Sequence, residues 1–471
     1  MLSVRKMVHE LSFDEVRQLI NLHYREQTRM NMLLEEYKGH NAEIENMPAK
    51  SEGKANNKIS HAFPYIISST ITGFMNQKPV IRCDEQELID DVFKYNDADK
   101  QNTSILLDMS IWGVGVEQFY IDSKANIRFK RIDARDIIAV KSSTIDGGTF
   151  CVIKHFEVDG LGDDKEEFIE LYYDTKIVRY YENEKGVHSI TEEDHFFGMP
   201  PFIIYKNNEQ MLGDFERILP IVGAYNKYQS EVLNATQDIS NALLVLSGVN
   251  LTEEQMHLVS KMRVLADENT ISAQMVYNDV PFAESYLKQL RKDIFALSGC
   301  IDLTGEEVGN LSGSALRQRL VNLFYICSVK ANYLKEGYLK RIELIMTIAS
   351  LTSNIDVDKV IKNTQIEIKY NTLEDYDKVL NLVNGLKDVV SQETLLSFLG
   401  ELIVSVDDEL NKLAKEKEKN MQNLPQALLN SQQGNKQNDN VEEAPSTSED
   451  DMDEDMKQNV QEANSTEETN N

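Results

Sequence analysis

Apolar residues recur at helical spacing over roughly the first hundred residues, alternate over roughly the next hundred, and return to helical spacing thereafter. Ser12 with Glu15 forms a capping box for an amphipathic helix that runs to about Tyr37, where Gly39 supplies the stop. The polar, aperiodic segment from His40 to Asn57 reads as a mobile loop. An apolar helix is predicted from about Ala62 to Phe74, ending near Gly73, with Pro79 and a strand after it. One further helix spans about Glu85 to Trp112, the only tryptophan. From Gly113 to Tyr181 short runs rich in β-branched and aromatic residues follow: VEQFYID, ANIRFKRID, IIAVK, TFCVIKHFEV, EFIELYYDT and KIVRYYEN. Turn signals at Asp146-Gly147-Gly148 and Asp159-Gly160 separate them, which predicts an antiparallel meander. A further strand, FIIYKN, follows Pro200-Pro201.

Two long helices dominate the second half. From about Pro220 to Leu246 the positions Ile221, Tyr225, Tyr228, Val232, Ala235, Ile239, Ala242 and Leu246 step by four and three, a mean period of 3.5. That stripe fits packing against neighbouring helices, whether in an oligomer or within one bundle. Ser247 to Pro281 reads as a small α/β insert, with Thr252 and Gln255 capping the helix EEQMHLVSKMRVL and ISAQMVY as a strand. From Phe282 to Met346 runs a helix, a loop and a longer helix. Leu287, Leu290, Ile294 and Leu297 form the first limb's apolar stripe, and Lys288, Arg291 and Lys292 lie opposite. Gly299, Gly305, Gly309 and Gly313 force a loop. Ser314 can then cap a helix with apolar positions Leu316, Leu320, Leu323, Cys327, Ala331, Leu334, Tyr338, Ile342 and Ile345, a rod of roughly 50 Å. Such an arm is either an ordinary hairpin of a large core or the element about which the chain is organised. A strand QIEIKY and two helices opened by Thr372 and Ser391 follow, ending near Ala414.

Charge narrows the function. With 78 Asp and Glu against 49 Lys and Arg, the net charge is −29, which opposes tight, sequence-independent gripping of DNA. It is compatible with a protein past which DNA slides. From Lys415 the composition turns to Asn, Gln, Ser, Glu and Asp; Val441–Asn471 holds eleven acids, one base and no aromatic residue, which predicts a disordered acidic tail. Cys83, Cys151, Cys300 and Cys327 include no CxxC pair, so neither a disulfide framework nor a zinc knuckle is indicated and a reducing compartment is expected. The polar start and the lack of eighteen consecutive apolar residues predict neither a signal peptide nor a membrane span. No HExxH, GxSxG, GxGxxG or GxxxxGK[ST] occurs, the eight histidines are scattered, and Gly113 and Gly115 read as a close helix-to-strand turn. The acidic pairs Glu253-Glu254 and Glu306-Glu307 read as solvated faces. No catalytic residue, metal ligand or cofactor is predicted.

Four stretches in order resemble one family: NNKISHAFPYIISSTITGFMNQKPV (56–80), SIWGVGVEQFYIDSKANIRFKRIDARDI (110–137), FFGMPPFIIYKNNEQMLGDFERILPIVGAYNKYQSEVLNATQDISNALLVLSG (196–248) and GNLSGSALRQRLVNL (309–323). They are similar to portal proteins of tailed bacteriophages, in the subgroup typical of long-tailed phages of Gram-positive hosts. The likeness covers roughly residues 10–410. Two departures, Ala134 where many relatives have proline and Val140-Lys141 where an aromatic-acidic pair is common, fall in the β-rich region.

The resemblance implies an α+β, mainly helical fold of wing, stem, clip and crown. The implied divisions are a wing over 1–219 with its β-rich part at 113–206, stem helices over 220–246 and 282–298, and a clip over 247–281. A tunnel loop over 299–313, a wing helix and strand over 314–371, a crown over 372–414 and the tail over 415–471 complete them. It implies a ring of about twelve subunits at one capsid vertex, in the virion, assembled in the host cytoplasm. DNA would pass the tunnel-loop residues Gly299, Gly305, Glu306, Glu307, Gly309, Asn310 and Gly313, with Lys288, Arg291 and Lys292 as channel-facing candidates of the stem. Glu253, Glu254, Lys261 and Arg263 would face the large terminase subunit and the head-to-tail adaptor. Ile221, Tyr225, Tyr228, Val232, Ile239 and Leu246 would pack subunits together. Major capsid and scaffolding proteins are further implied partners; a membrane is not. Two other readings compete: another phage structural protein, which would not need two long legs around an α/β insert, and an enzyme, which would need a convergent polar pocket.

Overall fold

The computed structural model describes residues 3–6, 10–51, 54–142, 148–159, 165–183, 186–240, 244–247, 252, 264–267, 280–302, 318, 320–371, 385–386, 389–398 and 406–422. The chain divides into a unit over 1–373 and a second over 374–471. In the first, strand β1 (Ser3–Lys6) precedes α1 (Phe13–Lys38), whose capping box of Ser12 and Glu15 and left-handed Gly39 (φ 92°) are those expected. The segment 40–57, expected as a mobile loop, is instead partly ordered. Asn41 caps a short helix α2 (Ala42–Glu45) by accepting from the Ile44 N–H, and residues 54–61 run along a later helix described below.

Helix α3 (Phe63–Met75) and strand β2 (Val80–Arg82) fall where predicted. The single helix expected over 85–112 is two, α4 (Gln86–Tyr95) and α5 (Ala98–Trp112). The break is at Asp97, which adopts a positive φ of 50°. Asn96 stabilises it by donating to the carbonyls of Val92 and Ile127 and accepting from the Phe129 N–H. Gly113 then closes α5 with φ 82°, and a Cβ there would lie 2.0 Å from the Met211 carbonyl oxygen, so glycine is required.

The β-rich region makes two sheets rather than one. Strands β3 (Val114–Ile121), β4 (Ile127–Ile132) and β10 (Phe202–Lys206) form an antiparallel sheet in the order β10-β3-β4. A one-turn 3-10 helix at Ala134–Asp136 leads to the second. There, β5 (Ile137–Ser142), β6 (Thr149–Asp159), β7 (Lys165–Tyr172), β8 (Lys176–Asn183) and β9 (Gly186–Asp194) form the predicted meander. β1 adds to its edge parallel to β5. Alternation sends Ile138, Val140, Cys151, Ile153 and Ile169 to a core under the first turns of α1, while Ile137, Ala139, Val152 and Tyr172 join the main core.

Helix α6 spans Leu219–Ser240, shorter than the 220–246 expected, because Leu244–Ser247 is a strand, β11, paired in parallel with β12 (Val264–Asp267). Val264 and Leu265, expected to end a helix, therefore lie in a strand. Helices α7 (Val280–Ser298) and α8 (Val321–Ser350) are the two limbs of the arm, with Gly299 closing α7 at φ 71°. Helix α9 (Val357–Asn363) and strand β13 (Gln365–Glu367), antiparallel to β2, end the first unit. The second unit contains α10 (Gln392–Phe398) and α11 (Val406–Gln422). The latter continues eight residues past Ala414, through a lysine- and glutamate-rich run with good helix propensity. Among the described residues, no helix is long and apolar enough to cross a membrane.

Candidate functional site

The middle of α8 is fastened to the β10-β3-β4 sheet by a buried charge network. Arg341 and Glu117 are both 0% exposed. The Arg341 guanidinium donates from Nε and Nη2 to the two Glu117 carboxylate oxygens, each at 2.9 Å, and from Nη1 to Asn102 Oδ1 at 2.7 Å. The Tyr205 hydroxyl donates to Glu117 at 3.0 Å. The guanidinium also lies 4.8 Å from the Phe129 ring centroid and 4.9 Å from that of Tyr338. Gly337 lets Tyr205 approach: a Cβ there would fall 2.2 Å from its ring. Three turns earlier, buried Lys330 donates to Asp214 at 2.9 Å, and Asn207 donates to the other Asp214 oxygen at 2.7 Å. Both cations escaped the apolar pattern, although Lys330 adjoins Ala331 and Arg341 adjoins Ile342 on the predicted stripe. That placement is the signal that could have found them.

A second fastening holds residues 54–61 along α6. Asn226, Ser230 and Asn234 recur every four residues, so they line one face, and all are buried. The main-chain N–H groups of Asn57, Ile59 and His61 donate to Asn234 Oδ1, Ser230 Oγ and Asn226 Oδ1 at 2.6, 2.9 and 3.0 Å. Asn234 donates back to the Asn57 carbonyl, and Lys50 pairs with Glu231. An extended segment is thus held by a side-chain ladder rather than a sheet.

The stripe predicted on α6 is only partly a packing face. Tyr225 is buried and Tyr228 meets Tyr286 of α7 edge-on at 4.9 Å, whereas Ile221 and Val232 are half-buried. Ile239 lies beyond the residues whose side chains are described, and Leu246 sits in β11, so the stripe does not continue to it on a helix. On α7, Ile294 is buried but Leu297, expected on the same stripe, is 64% exposed; Phe295 and Ser298 are buried instead. Lys288 and Lys292 are exposed. Arg291 makes a two-pronged ion pair with Asp302, at 2.5 and 3.0 Å, that ties the start of the glycine-rich loop back to α7. Gly305, Glu306, Glu307, Gly309, Asn310 and Gly313 lie outside the described residues, as do Glu253, Glu254, Lys261 and Arg263.

The remaining polar chemistry is that of a scaffold. Burial pushes the thiols of Cys300 and Cys327 up to about 12 and that of Cys151 further, which keeps them un-ionised. His155 pairs with Glu167 at 2.5 Å, and Arg17 of α1 holds the same carboxylate at 2.8 Å. A cleft of about 490 Å³ between β5, β10 and α8 is rimmed by Lys141, Lys206, Lys340 and Glu336; the hydrogen bond from Lys340 holds the Glu336 carboxyl below its usual range. Among the described residues, no group of three or more His, Cys, Asp or Glu is placed to hold a metal.

The two buried polar networks each hold one segment of the chain against another: Arg341 and Lys330 fasten one helix to Glu117 and Asp214, and Asn226, Ser230 and Asn234 hold residues 57–61. The chain belongs to the phage portal protein family, SPP1 Gp6-like, whose model matches residues 17–423. That family is structural rather than catalytic. The portal protein of Bacillus phage SPP1 is 23% identical over 304 residues, and the chain spans 59% of that relative's length and 59% of its own in the match. Among solved structures, a chain of the virion of a native gene transfer agent particle is similar at a TM-score of 0.37 and 11% identity, over 72% of this chain and 88% of that one. A chain from the neck of an empty particle of the same kind scores 0.36, with the same identity and coverage. Superpositions this loose carry no part of the assignment.

Proposed function

We propose that this protein is the portal of a tailed phage: a closed ring of about twelve copies at one capsid vertex, through which DNA is packaged and released. The observation that carries the reading is the family match across residues 17–423. In this reading the α1–α5 region with its two sheets forms the wing, and α6 and α7 are the stem. The β11–β12 insert is the clip that meets the terminase and later the adaptor. Residues 299–313 form a loop at the constriction, α8 is the wing helix behind it, and 372–414 is the crown. The net charge of −29 supports a conduit rather than a grip, because a bore of like sign repels phosphate. Lys288 and Lys292, exposed on α7, are candidate stem cations for the channel, while Arg291 is engaged by Asp302. Negative-stain microscopy of the purified full chain tests this. Rings with a central hole are expected; folded monomers at every protein concentration would refute it.

A further inference from the structure

We infer that the exposed first half of α8 is a surface through which one copy of this chain packs against the next, an inference that rests on the ring assignment. The two halves of this helix differ in their surroundings. In its second half Tyr338, Arg341, Ile342, Leu344, Ile345 and Met346 are buried around the helix. In the first half only the side bearing Leu323, Cys327, Lys330, Ala331 and Leu334 is covered. The other side presents Val321 at 38%, Tyr325 at 69%, Ile326 at 37% and Val329 at 52% exposure. Val321, Tyr325 and Val329 are four apart and therefore form one stripe. Leu297, 64% exposed, closes α7 two residues before Gly299, where that helix reaches Ile326 so closely that a Cβ would fall 2.2 Å from it.

Charge selects the occupant. Between Val321 and Leu334 the one charged residue is Lys330, and it is 2% exposed and neutralised by Asp214. In a chain that is 27% charged, fourteen residues would be expected to carry about four charges. The exposed side of this stretch therefore carries none. Copies with a net charge of −29 repel one another, and close approach costs least where neither presents a charge. DNA is not the ligand, because it is held by cations this face lacks. A closed ring of more than two copies uses a different surface on each side of the contact, so the stripe meets another part of the neighbour and not its own counterpart.

The test uses the full chain with the photo-crosslinker p-benzoylphenylalanine at position 325. Irradiated rings are expected to yield denaturant-resistant species of two and more copies, with peptide mapping joining position 325 to another surface of a second copy. In parallel, Tyr325→Asp with Val329→Asp is expected to give folded monomers at concentrations where wild type is fully assembled. Leu351→Asp, which charges an exposed apolar residue at the far end of the same helix, should leave rings intact. Crosslinks confined to the same chain, for example to residues 303–317, would overturn the proposal even if the double variant failed to fold. So would normal rings from the double variant. Wild-type protein that never assembles would instead refute the ring assignment itself.

Discussion

Replacing Arg341 by Met should be among the most damaging single changes in the first unit. Arg341 and Glu117 are completely buried, so their mutual attraction is unscreened and their desolvation is complete. With the guanidinium gone, Glu117 keeps only the Tyr205 hydroxyl as a donor among its described partners, and an uncompensated buried carboxylate costs about 3–5 kcal/mol. Domains are stable by about 5–15 kcal/mol, so the loss is a large fraction of the total. Glu117→Gln combined with Arg341→Met removes both charges, keeps an acceptor for Tyr205, and should recover most of that loss, so the coupling should be at least about 2–4 kcal/mol. Urea unfolding at one fixed protein concentration, with the slopes of the four proteins compared, gives the cycle. If the double variant is destabilised by the sum of the two single changes, the pair is not an energetic unit and the reasoning fails. The pair also sets the orientation of α8 on β3 and β10, so Arg341→Met should impair ring closure in any molecules that still fold.

Three further outcomes are expected. Asn226→Ala with Asn234→Ala leaves the N–H groups of Asn57 and His61 without acceptors, at about 1–3 kcal/mol each, so amide exchange across 57–61 should rise at least about tenfold; unchanged protection would show that this segment is held by something else. Asp136 is pushed up to about 6, mainly by burial and then by Asp133, against the pull of Arg135 and Lys154. Since its folded value lies above the usual 3.8, the proton adds stability that is fully present below 3.8 and lost as pH rises through 6. Wild type should therefore gain roughly 1 kcal/mol over Asp136→Asn between pH 7.5 and 5, after allowing for solvent screening, and parallel melting curves across that range would exclude it. Finally, changing Glu306 and Glu307 to Lys should preserve rings but slow DNA packaging, because clustered cations hold phosphate; normal packaging at low salt would show that the loop does not touch DNA.

Local signals were sufficient for much of the fold. The capping box at Ser12 and Glu15, the stops at Gly39, Gly113 and Gly299, the alternating strands and the stripe from Leu323 to Ile345 each depend on residues within a turn or two of one another. The ordered motifs were likewise enough to place the chain among the portal proteins. Long-range pairing decided the rest. Nothing near Asn57 in the chain foretells that its N–H will meet Asn234, 177 positions away, and without that acceptor the segment reads as a loop. Leu246 continues a helical period perfectly well, but a strand partner at Ala266 outweighs the local preference, so the helix ends at Ser240. Arg341 and Lys330 read as ordinary surface cations until Glu117 and Asp214, 224 and 116 positions distant, arrive to neutralise them. Leu297 shows the converse: its spacing assigns it to the buried stripe, yet no neighbour covers it among the described residues, because burial depends on which elements meet a helix face and not on the face alone.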